Sequence, residues 1–213
     1  MRLRKVKGAE EKVAVSPFVA HDAKENKGRW NEVFGNDHPI RLEIGMGKGR
    51  FITELSKEHP EINYLGMERF QSVLVRAIEK READPEPNDN LLFLCEDADD
   101  LTEIFEEGEV DEIYLNFSDP WPKARHAERR LTSGTYLAKY DKVLKKTGKV
   151  IFKTDNTDLF EYSAESFPEH GWKIETITRD LHNSEFAEGN IMTEYEIKFG
   201  KLGKKICRLV ASR

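Results

Sequence analysis

Residues 116–123, NFSDPWPK, place a carboxylate, Asp119, beside the indole of Trp121 and just before the ammonium of Lys123. A carboxylate, a flat ring and an ammonium suit a flat, polar, partly anionic substrate. The apolar residues Ile113, Tyr114 and Leu115 read as a buried strand, and Pro120 and Pro122 deny the chain a continuing ladder or helix beyond it. Asp119 is therefore expected at the carboxyl end of a strand, where open α/β sheets bind ligands. Taken in isolation, Asp-Pro-Trp reads better as a proline-rich turn whose Trp fills the core. The rest of the chain decides between the two.

A second constellation lies at residues 42–50, LEIGMGKGR, where Glu43 precedes Gly45, Gly47 and Gly49. Glycines at a strand-to-helix turn allow positive φ and a close approach of backbone to ligand. The spacing is ExGxGxG; the NAD fingerprint needs its third glycine one residue later, where Arg50 stands. The next two strands also end in acids, Glu68 after INYLGM and Glu96 with Asp97 after LLFLC. An acid at the tip of the second strand is placed to accept from both ribose hydroxyls, and one at the third to accept from an adenine amino group. Several carboxylates around one crevice disfavour a phosphate-rich cofactor. S-adenosylmethionine, with a sulfonium and an ammonium and no phosphate, fits better. Helix capping is the competing role for such acids, and is expected of Asp99 or Asp100.

The elements that must hold these groups alternate. Strands are expected at 40–44, 62–67, 91–95, 113–115, 150–153, 172–178 and 205–210, with helices at 51–58, 71–81, 101–106, 136–144 and 159–167. Repeated βαβ units imply a mostly parallel sheet covered on both faces. At 213 residues the chain suits one such domain, drawn here as residues 31–213 behind a basic, mobile N-terminal extension of residues 1–30. No apolar run is long enough to span a bilayer, so a cytoplasmic protein is expected. Cys95 and Cys207 lack partners at metal spacing and are expected to be reduced thiols, with no metal site.

The net charge of −6 hides an asymmetry. Residues 82–112 hold fourteen acids and no Lys or Arg, leaving 34 basic against 26 acidic residues elsewhere. Basic clusters occur at Arg2, Arg4, Lys5 and Lys7 and at Lys123, Arg125, Arg129 and Arg130, with His126 among the second set. The second abuts the Asp119 loop and suits phosphate tracking; the first is either solvated surface or a further contact.

Taken together, the glycine loop, the acidic strand ends, NFSDPWPKARHAERRL, FKTDN at 152–156 and MTEYE at 192–196 resemble the bacterial tRNA (guanine-N7-)-methyltransferases from about residue 30 onward. The resemblance implies a class I S-adenosylmethionine-dependent methyltransferase fold, Rossmann-like, with a seven-stranded sheet. It implies a cofactor site at Glu43, Gly45, Gly47, Gly49, Glu68, Asp97, Ala98 and Asp119, with Asp119 also catalytic and S-adenosylhomocysteine as product. Substrate-binding positions fall at Lys123, Asp155, Thr193, Glu194, Tyr195 and Glu196, and RNA contacts at Arg125, His126, Arg129 and Arg130. The implied partner is tRNA, methylated on a guanine of the variable loop, and the protein is expected as monomer or homodimer. His126 receives no catalytic role.

Guanine N7 carries an available lone pair, so Asp119 need not act as a general base; it can stabilise the cation that develops on the purine. Asp155 and Glu196 could accept from guanine N1–H and its amino group, donors that adenine does not pair in this way. Trp121 is either a stacking face or a core plug. The competing activities are methylation of an amino group, guanine N2 or adenine N6, by analogy with DPPY-like loops, an NAD-dependent oxidoreductase, and a non-catalytic RNA-binding module.

Overall fold

The structure, a computed structural model, describes residues 6–200 and 203–213. The basic residues Arg2, Arg4 and Lys5 lie outside the described residues.

Seven strands form one sheet: β1 (Ile40–Ile44), β2 (Asn63–Met67), β3 (Leu91–Leu94), β4 (Val110–Asn116), β5 (Leu144–Thr154), β6 (Lys173–Thr178) and β7 (Cys207–Ser212). Their order is β3-β2-β1-β4-β5-β7-β6. The first five run parallel, and β7 is antiparallel to both neighbours. The order reverses between β1 and β4, so the loops leaving these two strands diverge and open a crevice at their carboxyl ends. Leu42, Ile44, Leu115 and Phe152 face one core. It is shared with α5 (Leu101–Ile104), α6 (Gly134–Val143) and α7 (Thr157–Glu169) through Leu101, Leu137, Tyr140 and Phe160. Tyr64, Phe93, Tyr114 and Ile151 face the other, with Ile52 and Leu55 of α3 (Arg50–Glu58) and Leu74 and Ile78 of α4 (Gln71–Glu82). This is the period-two alternation of strands buried on both faces.

Residues 9–30 pack on this domain, so residue 30 is not a break in packing. Helix α1 (Ala9–Val15) buries Ala9 and Val13 and joins α4 through a Lys12–Glu82 ion pair of 2.6 Å. Residues 18–20 then run beside β3, where Phe93 N–H donates to Phe18 O at 2.8 Å and Ala20 N–H to Phe93 O at 2.9 Å. At α2 (Trp30–Phe34), Trp30 is fully buried and its indole donates to Ile104 O at 3.1 Å.

Other boundaries moved for local reasons. β5 begins at Leu144, because Val110 pairs with Leu144 ahead of an irregularity in the β4 ladder. The last strand starts at Cys207, after the exposed Lys204 and Lys205. α8 (Glu194–Gly200) is an additional helix in a segment to which the sequence pattern assigned no element.

Candidate active site

The glycine loop is anchored to β2. Gly45 and Met46 N–H both donate to Met67 O, at 2.9 and 3.0 Å, and Gly47 N–H donates to Glu68 Oε2 at 3.2 Å. Gly45, Gly47 and Gly49 have φ of 74°, 59° and 76°, which side chains other than glycine rarely adopt. A Cβ at Gly49 would also lie 3.1 Å from that of Ala77, so the third glycine sets how closely α3 packs on α4.

Above this loop lies a cleft of about 500 Å³ at the carboxyl ends of β1 to β4. Gly45, Glu68, Asp97, Ala98 and Asp119 line it, and so do Glu96, Asp99 and Arg129. Glu68 is buried and accepts from Phe70 N–H at 2.9 Å as well as from Gly47; burial raises its pKa above the ordinary carboxylate value. Asp97 caps a short 3-10 turn by accepting from Asp99 N–H at 3.1 Å, while Asp99 pairs with Lys139 at 2.9 Å. The cap expected of Asp99 or Asp100 is thus provided by Asp97. Arg69 pairs with Asp97 at 3.2 Å and covers the Phe70 ring at 4.5 Å.

Asp119 is exposed on a loop held under strain. Phe117 and Trp121, two residues on either side, have φ of 55° and 41° in the left-handed region that bulky residues avoid. Arg130 holds the loop there. Its Nε donates to Pro120 O at 3.1 Å and an Nη to Trp121 O at 3.2 Å, while its guanidinium lies 4.2 Å above the Tyr162 ring. Assigned to RNA from sequence, Arg130 directs its Nε and one Nη back to the loop's own carbonyls. Arg129 lies 5.0 Å over the Trp121 ring, and the His126 ring lies 5.9 Å from it. Trp121 lines the cleft, so it is not a core plug. Lys123 and Arg125 project into solvent.

Glu43 departs from expectation. It faces α3, away from the cleft lining, in a buried row formed with Asn116 and Lys153 at the tips of β1, β4 and β5. Asn116 Nδ2 donates to it at 2.8 Å. Burial pushes its pKa up to about 7, against the opposing pull of Asn116 and Lys153. Glu196 departs further. It is fully buried, and both oxygens are engaged: Oε1 by His182 Nε2 at 2.7 Å and Asn190 Nδ2 at 2.8 Å, Oε2 by Lys153 Nζ at 3.2 Å. Buried with both oxygens already engaged, Glu196 presents no exposed acceptor to a base.

The other substrate positions surround it. Thr193 Oγ1 accepts from Glu196 N–H at 3.0 Å and opens α8. Glu194 pairs with Lys80. Tyr195 packs its ring 4.9 Å from Phe117 and donates to Asp155 Oδ2 at 3.1 Å; Lys204 pairs with the same carboxylate at 2.8 Å. Asn156, not Asp155, caps α7, accepting from Leu159 N–H at 2.8 Å. Sequence reasoning missed Phe117, Ser118, Leu131 and Tyr136 in the cleft wall. Phe117 and Ser118 lie within the quoted motif, and only the local backbone turn shows that they face inward.

The lining tests what could bind. Five carboxylates and two guanidiniums make it rich in acceptors, and the buried Ser118 Oγ has no hydrogen-bond partner among the described residues. Such a set fits a ligand carrying hydroxyls, an amine and a positive centre, and opposes a pyrophosphate. No described helix is long and apolar enough to cross a membrane.

A family model described as "Putative methyltransferase" matches residues 37–209. The tRNA (guanine-N(7)-)-methyltransferase of Lachnoclostridium phytofermentans is 57% identical over 213 residues, covering 100% of this chain and 99% of the relative. That of Bacillus subtilis is 51% identical over 209 residues, 98% and 97% of the two chains. Among solved structures, the 16S rRNA methyltransferase KamB aligns with a TM-score of 0.66 at 14% identity, over 87% of this chain and 92% of that one. An antibiotic-related methyltransferase aligns with a TM-score of 0.64 at 20% identity, over 93% and 96%. The structural neighbours share the methyltransferase fold, and the full-length relatives carry the identification further: the chain belongs to the tRNA (guanine-N7-)-methyltransferase family.

Proposed function

We infer that the protein transfers a methyl group from S-adenosylmethionine to N7 of a guanine in the variable loop of tRNA. The observation that carries this reading is Asp119, held on a strained loop at the rim of an acceptor-rich cleft, in a chain 57% identical to an enzyme of that name. Bound S-adenosylmethionine would supply an electrophilic methyl on a sulfonium. Glu68 would accept from the ribose hydroxyls and Asp97 from the adenine amino group, with Ser118 Oγ free for a further polar contact. Asp119 would face the purine as positive charge grows on its imidazole ring, a preorganised stabiliser and not a base. Phe117 and Trp121 would flank the entering ring, fixing its approach. The guanine must leave any tertiary pairing in folded tRNA to reach this depth.

Incubating the protein with labelled S-adenosylmethionine and an unmodified tRNA transcript, then digesting the RNA, is expected to give 7-methylguanosine. N2-methylguanosine or N6-methyladenosine would overturn the target atom.

The basic loop divides into two roles. Arg125 is exposed and suits a phosphate, so Arg125→Ala is expected to weaken tRNA binding and flatten the plot of log K against log salt by about one unit. Arg130→Ala is expected to leave that slope in place and lower kcat, because it releases the carbonyls of Pro120 and Trp121. Binding measured across a salt series, beside turnover, separates the two.

A further inference from the structure

Lys153, at the tip of β5, is an ammonium only 3% exposed, and no cleft contact explains it. Its three donors go to Asn190 Oδ1 at 3.0 Å, Ile191 O at 3.0 Å and Glu196 Oε2 at 3.2 Å, and it sits 4.9 Å above the Phe51 ring. Asn190 turns its amide nitrogen to Glu196 Oε1, closing a triangle of ammonium, carboxylate and amide. The segment thus gripped continues directly into Met192, whose carbonyl accepts from Arg50 Nε at 3.2 Å, and into Tyr195, which touches both Phe117 and Asp155. Phe117 lines the cleft two residues before Asp119.

We propose that Lys153 is a positioning residue for the nucleobase side of the site, acting through Glu196 and the 190–196 segment to set Tyr195 against Phe117. Burying an ammonium is costly and Lys153 has its pKa lowered by desolvation, a burden offset here by a carboxylate and two carbonyl-type oxygens. An apolar side chain would fill the same space at lower electrostatic cost. What it could not do is fix three separate acceptors of one irregular segment in a single geometry. The role assigned to Glu196 changes accordingly: its influence on the substrate is indirect, because its oxygens are committed to Lys153, His182 and Asn190.

This inference rests on the methyltransferase reading above. Its test is a double-mutant cycle on methylation of tRNA, with Lys153→Met, Glu196→Gln and the pair, beside calorimetric titration of each protein with S-adenosylmethionine. Each single variant is expected to lose about 100-fold in kcat/KM for tRNA, as misplacement near the reacting groups does. Cofactor affinity is expected to stay within about twofold, since neither Lys153 nor Glu196 lines the cleft. The double variant is expected to lose no more than the worse single, because the two side chains act as a unit. Losses that multiply would show Glu196 reaching the base without Lys153, and the proposal would fail. A parallel loss of cofactor affinity, the mark of a general structural role, would also end it. If Lys153→Met does not fold, Lys153→Arg enters the same cycle; its charge survives but its planar fork does not fit three converging acceptors, and activity indistinguishable from wild type would refute the role. Wild-type protein that forms no 7-methylguanosine removes the underlying reading, whereas wild-type activity with unaffected variants removes Lys153 alone.

Discussion

Asp119→Ala is expected to lower kcat by about 10²–10³-fold, the usual cost of removing one preorganised electrostatic stabiliser. The thermal midpoint should not move, since Asp119 is exposed and makes no hydrogen bond or ion pair among the described residues. Asp119→Asn distinguishes the physics. It keeps shape and an acceptor oxygen but not the charge, so a loss close to that of Ala identifies charge stabilisation of the purine. Near-normal turnover in the Asn variant would instead mean that Asp119 only orients the base. Single-turnover rates at saturating cofactor and tRNA check both, because they separate the chemical step from release.

Glu68→Ala carries the second large effect, and on binding. Glu68 already holds the glycine loop through Gly47 and the following turn through Phe70. Removing it frees both N–H groups and deletes the acceptor proposed for the ribose. Each charge-assisted hydrogen bond contributes about 1.5–3 kcal/mol, so affinity for S-adenosylhomocysteine should fall about 100-fold. Titration calorimetry measures this; unchanged affinity would place the ribose elsewhere. The pH dependence has a defined sign. Burial raises the Glu68 pKa, so on acidification the carboxylate protonates earlier than an ordinary glutamate. It then loses the charged acceptor that the ribose needs. Affinity should weaken on the acid side, beginning above the pH at which an exposed carboxylate would titrate, and the Ala variant should lack that dependence.

The tips of β1, β2 and β3 were legible because each is a short, largely apolar run followed within two residues by a glycine or an acid, a signal carried in nearby residues. Ile40–Ile44 and the helix starting at Gln71 stand where periodicity puts them. Helix α8 was not legible: its N-terminus is organised by Thr193 and Glu196, whose partners Lys153 and His182 are remote in sequence. The same remoteness hid the duties of two charged residues. FKTDN and MTEYE show that Lys153 and Glu196 exist, not that they meet inside the core. Likewise, a run of arginines after DPWP looks uniform, although Arg130 folds back on the loop and Arg125 does not. Glu43 was grouped with the cleft acids because it precedes the glycines. Alternation along β1 sends it to the face opposite Leu42 and Ile44.

The strip formed by residues 18–20 alongside Phe93 has a bearing on colloidal behaviour. Without it, β3 would be the terminal strand of the sheet, offering unpaired amides and carbonyls on an apolar run to any other chain. At the opposite border β6 defends itself differently, with exposed Lys173 and Glu175 and an irregular register at Ile174 to Thr176. One border is thus shielded by a preceding segment and the other by charge and distortion. A truncation that begins after Ala20 would strip the first of these shields while leaving every cleft residue in place, and the resulting protein would be prone to strand-to-strand aggregation before it lost any catalytic group.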